Sequence, residues 1–401
     1  MLNRAQNGPR NRSAAYAEVG VIGGGPAGAR AAELLAANGR EVVVWDPKAP
    51  WEKPCGGGLT AGLLTVAPEV RDVLPSARPV GRVVLATRDA LVSIQLDRPI
   101  HVIARRDLGA WQLDRARAAG AAVEGSGVRA IARTADGWAI TLRDGAVRTV
   151  RHLVGADGAA SLVRSVAAPA LKVALEPTRI VYPEAVGVGE AAVIVLRFSP
   201  GVEGYAWDFP RPGHHSVGAV VGPGTGGRQR LDAEIDALTD GGVLPPPPTL
   251  ARRGAVIGSA LYLRTGQYGG IGGDDYALVG DAAGLADPAT GEGITNAFRS
   301  GALAAEVFVR DRSFRRYPRV AAARFEAEFR TARWLRHLMY DRGWAVRLIA
   351  AASHRPRMAA AAAQLLNDAN DHRSLTTMIV RVLSTLLRAN VLARGLVEQP
   401  E

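Results

Sequence analysis

Six residues near the start of the chain, Gly23-Gly24-Gly25-Pro26-Ala27-Gly28, limit its architecture more than any other feature. They fall where one kind of periodicity stops and another begins. Before them, Glu18-Val19-Gly20-Val21-Ile22 is a short apolar run with the length of a buried strand. After them, residues 26–38 read as an Ala-rich helix that Gly39 ends, and residues 41–45 as a second apolar strand. Strand, turn, helix and strand within about 30 residues make a parallel βαβ unit. In that setting Gly23 permits the tight turn, Gly25 lets backbone approach a pyrophosphate, and Gly28 allows close packing of helix on strand. Pro26 and Ala27 open the helix, whose free N–H groups and positive end suit a phosphate. Asp46 closes the second strand 18 residues beyond Gly28, where an acid meets a ribose hydroxyl. A dinucleotide site follows from the combination.

Further along, residues 82–86, 91–96 and 101–104 read as strands and 107–119 as a helix. Residues 128–134, 138–142 and 146–150 form a meander with turns at Asp136-Gly137 and Asp144-Gly145, and 152–154 return to a buried strand. From 171 to 268 the pattern is antiparallel, clearest at 192–198, 205–210 and 214–221. The tetraproline at 245–248 reads as a stiff connector. The expected organisation is α/β. A disordered lead (1–16) precedes a Rossmann-type nucleotide-binding domain (17–170 and 269–320). An antiparallel-sheet substrate domain (171–268) is inserted in it, and a helical region (321–401) ends the chain.

A single cysteine, Cys55, excludes an internal disulfide, and the seven histidines show no metal-ligand spacing, so no metal site is expected. His214 and His215 would point to opposite faces of a strand, as surface or structural residues. No apolar run has the roughly 18 residues of a membrane span, and the first 15 residues lack a signal peptide's apolar middle. These features imply a cytoplasmic protein, soluble or peripherally attached.

Two more segments repeat the pattern of an acid among small residues after an apolar strand. They are Val154-Gly155-Ala156-Asp157-Gly158 and Leu278-Val279-Gly280-Asp281-Ala282-Ala283-Gly284, the second continuing into Pro288-Ala289-Thr290-Gly291-Glu292-Gly293-Ile294. Together with the glycine cluster they resemble the FAD-dependent oxidoreductases built like aromatic hydroxylases, over residues 17–305. The resemblance implies FAD as cofactor. It implies that Asp281 binds the ribityl chain, that Asp157 and Gly280 are further cofactor contacts, and that Pro288, Gly291, Gly293 and Ile294 lie against the flavin ring. A helix starting there would stabilise negative charge on the N1–C2=O edge of reduced flavin. The family's Arg-x-x-Phe-Asp motif appears as Arg105-Arg106-Asp107-Leu108-Gly109, which makes Arg105 a cofactor contact although Gly109 replaces the motif's Asp.

Within that superfamily, Lys53-Pro54-Cys55-Gly56-Gly57 and Tyr205-Ala206-Trp207-Asp208-Phe209-Pro210 resemble segments of the geranylgeranyl reductase family. The resemblance implies reduction of isolated C=C bonds in a polyprenyl chain, with hydride from reduced flavin N5 and a proton to the other carbon. Tyr205, Trp207 and Phe209 share one face of a strand and would wall an apolar substrate site; ordinary core packing is the plainer reading. Cys55 sits beside three glycines, so the backbone of Cys55, Gly56 and Gly57 can approach the cofactor's ring closely; the Cys55 thiol reads either as a proton donor or as a small buried apolar group. Tyr205 and water are the other candidate proton donors. The alternatives are a monooxygenase using NAD(P)H and O₂ on an aromatic or polyketide ring, and a non-catalytic isoprenoid-binding flavoprotein. Electrons would come from NAD(P)H or a ferredoxin. The sequence sets no oligomeric state.

The net charge of +11 is uneven: residues 310–401 hold 17 Arg against 8 acids, whereas residues 1–309 are near neutral. Phe325, Phe329, Leu335 and Leu338, with Trp334, alternate with Arg324, Arg330, Arg333 and Arg336. Such a surface would dock on anionic lipid, unless the helices pack inward and leave only solvated Arg. No nucleic-acid reader motif is present.

Overall fold

The computed structural model describes residues 16–184, 192–224, 227–240 and 251–370. Residues 1–15 of the expected disordered lead (1–16), the tetraproline connector and the last 31 residues (371–401) lie outside the described residues, and Tyr16 already belongs to the first strand. Two sheets organise the rest.

In the first, Tyr16–Ile22 pairs in parallel with Val42–Trp45 on one side and Val147–Gly155 on the other. Ala122–Glu124 and Tyr276–Leu278 add further parallel edges. Gly137–Leu142 and Val128–Thr134 continue the sheet antiparallel from the first half of Val147–Gly155, as the meander pattern predicts. The helices Pro26–Ala37 and Ile294–Asp311 pack so closely that a Cβ on Gly301 would lie 2.3 Å from the Ala27 carbonyl oxygen. This contact brings the chain's first and last nucleotide motifs together.

The second sheet has eight strands. Arg253–Ser259, Ala174–Val181, His215–Val221, Gly204–Pro210 and Ile194–Arg197 run antiparallel, as expected for the substrate segment. The sheet then continues through Arg78–Ala86, Leu91–Val102 and Gly58–Leu59, which the sequence reading had placed in the nucleotide-binding segment. The joint is a parallel pairing of Ile194–Arg197 with Arg78–Ala86. The physical reason is visible in Leu91–Leu96, where Val92, Ile94 and Leu96 are buried and the alternate residues exposed. That is the half-buried alternation of an antiparallel sheet, not the continuous apolar run of a parallel one.

Each face of this sheet is covered. On one, Leu231, Ile235 and Leu238 of Arg228–Asp240 pack on Ala206, Val217 and Ala219. On the other, Trp344–His354 and Pro356–Asn370 bring Ala345, Ile349 and Ala352 onto Val92, Ile94 and Phe198. Tyr317, Ala321, Phe325 and Phe329 form one buried stripe of Tyr317–Arg336, and the two Phe rings stack at 5.5 Å within the core of the first sheet. Burying each such ring stabilises the fold by about 1.5–3 kcal/mol. The aromatic pair considered for lipid contact is therefore interior, while Trp334, Arg324 and Arg330 are exposed. No helix among the described residues is long and apolar enough to cross a membrane.

Candidate functional site

Gly23 has φ +103°, and a Cβ there would sit 2.3 Å from the Ala156 carbonyl oxygen; only glycine fits this crossing of two motifs. Gly28 packs as tightly, with its Cβ direction 2.0 Å from the Gly23 oxygen. Gly25 differs, because nothing lies within 4 Å of its Cβ position. Behind it, helix Pro26–Ala37 starts without a side-chain cap. An open approach to uncapped N–H groups is what a pyrophosphate requires.

Asp46 knits this loop together. Its Oδ2 accepts the Gly24 N–H at 2.8 Å, and its Oδ1 accepts those of Lys48 at 2.8 Å and Ala49 at 3.0 Å. A carboxylate retains lone pairs beyond these three for a ribose hydroxyl. Arg105 opens helix Arg105–Ala118; its side chain is buried and its Nε finds no partner among the described residues. Gln112, on the same helix, donates to the Pro26 carbonyl at 3.2 Å, and its Oε1 is likewise buried and unpartnered. Buried polar atoms of this kind are rare unless a ligand completes them. Gln112 lies against Pro26 at the Gly25 opening, and Arg105 starts the same helix; a donor guanidinium and an open helix start fit the phosphates of a dinucleotide such as FAD, and the Gln112 oxygen one of its hydroxyls. Gln112 escaped the sequence reading, since no motif marks it.

Asp157 is occupied differently. Its carboxylate accepts from Ser161 Oγ at 2.5 Å and from the N–H groups of Leu162 and Val163 at 2.6 and 3.1 Å, and so starts the short helix Leu162–Ala167. Burial holds its carboxyl above the usual range against those bonds. Arg164 then donates to the Ala282 and Ala159 carbonyls, which ties this motif to the Asp281 motif.

Gly280 rests on helix Pro26–Ala37, with its Cβ direction 3.1 Å from the Ala27 methyl, and Asp281 bonds Lys53 Nζ at 2.9 Å. Lys53 thus joins the Lys-Pro-Cys-Gly-Gly segment to the expected ribityl contact. The loop from Pro288 to Gly293 ends at the start of helix Ile294–Asp311, where the Glu292 carboxylate accepts the Thr295 N–H at 2.8 Å. Its carbonyls at Pro288, Ala289 and Thr290 accept from Arg336, Tyr340 and Tyr205 respectively.

Tyr205, Trp207 and Phe209 do share one face of Gly204–Pro210, together with Tyr182, Leu196 and Ile257. Trp207 is buried, with Nε1 donating to Ser216 Oγ at 3.4 Å, while Tyr205 and Phe209 are half-buried. The face closes on both expected flavin segments. Cβ directions of Gly56 and Gly58 come within 3.2 and 3.0 Å of the Phe209 ring, and Tyr205 Oη lies 2.5 Å from the Thr290 carbonyl oxygen. Burial pushes the Tyr205 phenol well above its ordinary range. Cys55 is half-buried and packs in a cluster containing Ile294 and Phe298.

Arg211, directly after the aromatic strand, was missed by the sequence reading. Its fully buried guanidinium pairs with Glu52 at 2.5 Å and donates to the carbonyls of Cys55 at 2.6 Å and Gly56 at 3.2 Å. Ser216 Oγ also donates to the Cys55 carbonyl at 3.0 Å. Burial would raise the Glu52 carboxyl, but Arg211 and the N–H groups of Arg106 and Arg105 bring it below the usual range. Gly57, at φ +84°, has its Cβ direction 2.1 Å from the Ile103 oxygen, so the segment tolerates no side chain there.

No protein-family model matches the chain. Menaquinone reductase of Mycobacterium tuberculosis is 30% identical over 360 residues, covering 80% of this chain and 84% of that protein. Geranylgeranyl diphosphate reductase of Rhodobacter capsulatus is 30% identical over 308 residues, covering 71% and 73%. The crystal structure of a geranylgeranyl bacteriochlorophyll reductase-like protein from Thermoplasma acidophilum shares the fold, with a TM-score of 0.71 at 20% identity over 92% of this chain and 99% of that one.

Proposed function

The chain belongs to the geranylgeranyl reductase family of FAD-dependent oxidoreductases, and we propose that it reduces isolated C=C bonds in a polyprenyl chain. One observation carries this reading: a single aromatic face meets both the Cys55-Gly56 segment and the Thr290 loop, the two places where a flavin ring is expected. An apolar wall set against a flavin suits an alkene that offers no polar handle.

FAD, when bound, supplies the hydride for one alkene carbon. The residues divide the remaining work. Gly25 and the start of helix Pro26–Ala37 receive the pyrophosphate, Asp46 a ribose hydroxyl, and Arg105 an anionic or carbonyl oxygen. Asp281, held by Lys53, faces the ribityl chain. Gly56, Gly57 and the Pro288–Ile294 loop bound the ring. Tyr205, Trp207 and Phe209 hold the alkene and exclude water, which matters because an unactivated alkene reacts only when tightly positioned.

The proton for the second carbon comes from the Cys55 thiol, whose thiolate is then reprotonated from solvent. Tyr205 suits that role less, because its hydrogen is committed to the Thr290 carbonyl and its phenol is raised by burial. NAD(P)H, used transiently, or a ferredoxin provides the electrons.

The test is anaerobic reduction of the purified holoprotein, then mixing with polyprenyl diphosphates and prenylated quinones, with product masses read out. Saturated products and alkene-dependent flavin reoxidation are expected. Turnover only with O₂, giving a hydroxylated product, would overturn the reading, and so would prenyl binding without reoxidation. In stopped flow, Cys55→Ala should slow reoxidation at least tenfold while FAD stays bound; a parental rate removes Cys55 as donor.

A further inference from the structure

Three successive backbone carbonyls in one loop are taken by three side chains from outside it. Arg336 Nη1 reaches the Pro288 oxygen at 2.7 Å, Tyr340 Oη that of Ala289 at 2.9 Å, and Tyr205 Oη that of Thr290 at 2.5 Å. The opposite edges of the same peptide planes are held as well. Asp287 Oδ1 accepts the N–H groups of Ala289 and Thr290 at 2.9 and 2.8 Å, and the Asp287 carbonyl accepts that of Gly291 at 2.9 Å. A peptide unit is planar, so fixing both its oxygen and its N–H leaves it no freedom to turn.

Two of the donors come from the C-terminal helices. Arg336 ends Tyr317–Arg336, and Tyr340 lies in the next turn, His337–Asp341. The Arg336 guanidinium is buried and its charge is met by Glu176 at 3.1 Å and Glu203 at 3.6 Å. Tyr340 lies beneath it at 5.5 Å. The substrate sheet leaves room for this group: a Cβ on Gly222 would be 2.8 Å from Arg336 Nη2. Nη1 bonds both the Pro288 carbonyl and the Glu176 carboxylate, while among the described residues Nη2 makes only the longer ion pair with Glu203; a spread of two nitrogens over these groups suits the planar fork of arginine rather than a lysine's point charge.

We propose that Arg336 is a positioning residue for the cofactor. With Tyr340 it locks the Pro288–Thr290 peptides and so aims the start of helix Ile294–Asp311 at the flavin, which makes the flavin's redox potential depend on the C-terminal helices. The proposal rests on the reading that this loop faces the ring. Glu292 takes the Thr295 N–H at 2.8 Å, so what remains of that helix's positive end favours the electron-rich reduced cofactor only while the loop presents it correctly. Loosening the loop therefore lowers the midpoint potential.

The experiment compares the parent with Arg336→Lys and Tyr340→Phe, the second removing one hydroxyl with little risk to folding. FAD content, visible spectrum, midpoint potential by dye equilibration, and kcat and KM for a prenyl substrate are measured. Expected results are retained FAD, a lower potential and a shifted spectrum in both variants, and a several-fold lower kcat with KM little changed. Variants that keep the parental potential and spectrum overturn the proposal, whatever their melting temperatures. A parent that binds no FAD overturns the reading of the loop itself, and this proposal with it.

Discussion

The side chain of Arg211 has no solvent exposure, and its guanidinium ends on Glu52 and on the carbonyls of Cys55 and Gly56. Removing one partner of a buried ion pair leaves the other charge uncompensated, at a cost of about 3–5 kcal/mol. Arg211→Met should therefore destabilise the protein by an amount in that range, measured by urea unfolding, and also weaken FAD retention because the Gly56 carbonyl loses its donor and that of Cys55 keeps only Ser216. Glu52 gives a pH signature. Its folded-state value lies below the ordinary 4.5, so its contribution is present above that pH and is lost as pH falls through the folded value. Glu52→Gln should be less stable than the parent at pH 7, and the gap should close towards pH 3. An equal gap at both pH values would show that the charge is not what matters there. No sequence pattern announced this pair, because Arg211 and Glu52 are 159 residues apart and the other three Arg211 bonds end on backbone oxygens.

At the scale of elements, the glycine turn and the helix behind it were legible because their signal is local: strand, turn and helix lie within a few residues of one another. The structure adds a division of labour among the glycines. Gly28 serves packing, since a methyl group would strike the Gly23 oxygen at 2.0 Å. Gly25 serves no packing purpose; its backbone is ordinary at φ −72° and its surroundings are open. The two requirements separate in experiment. Gly25→Ala should leave the melting temperature of the FAD-free protein unchanged or slightly raised, by up to about 1 kcal/mol from the reduced freedom of the unfolded chain. The added methyl should nonetheless weaken FAD binding at least tenfold, about 1.4 kcal/mol, by holding the pyrophosphate off the helix start. Flavin titration followed by fluorescence checks it, and unchanged affinity would place the pyrophosphate elsewhere. The aromatic strand was legible for the same local reason, since period-two alternation alone puts Tyr205, Trp207 and Phe209 on one face. What lay opposite that face was not, because Gly56 and Thr290 arrive from distant parts of the chain.

For the whole molecule, the basic C-terminal region and the second sheet give the same lesson. Arg333 and Arg336 are turned inward onto the Leu263 and Pro288 carbonyls with Glu326 and Glu176 as counter-charges, so part of the Arg excess organises the interior. The second sheet is shared between chain segments more than a hundred residues apart, joined where Ile194–Arg197 pairs with Arg78–Ala86. Composition and periodicity could not show that joint, because pairing between distant strands leaves no local trace. The segment 171–268 therefore looks self-contained in sequence but is an open half-sheet in the structure. Cut free, it would expose Ile194–Arg197 as an unpaired edge and lose Val80, Val83, Leu96 and Val102 from the cluster around Ile194. It would also lose the helices that bring Ala345 and Ile349 over Phe198. An exposed edge above an uncovered apolar face associates rather than folds. Expressed alone, residues 171–268 should give no cooperative unfolding transition and should aggregate, whereas the full chain unfolds cooperatively. Dispersed amide resonances and a sharp melt from the isolated segment would show instead that the substrate sheet is an independent unit, and that the long-range joint is only an addition to it.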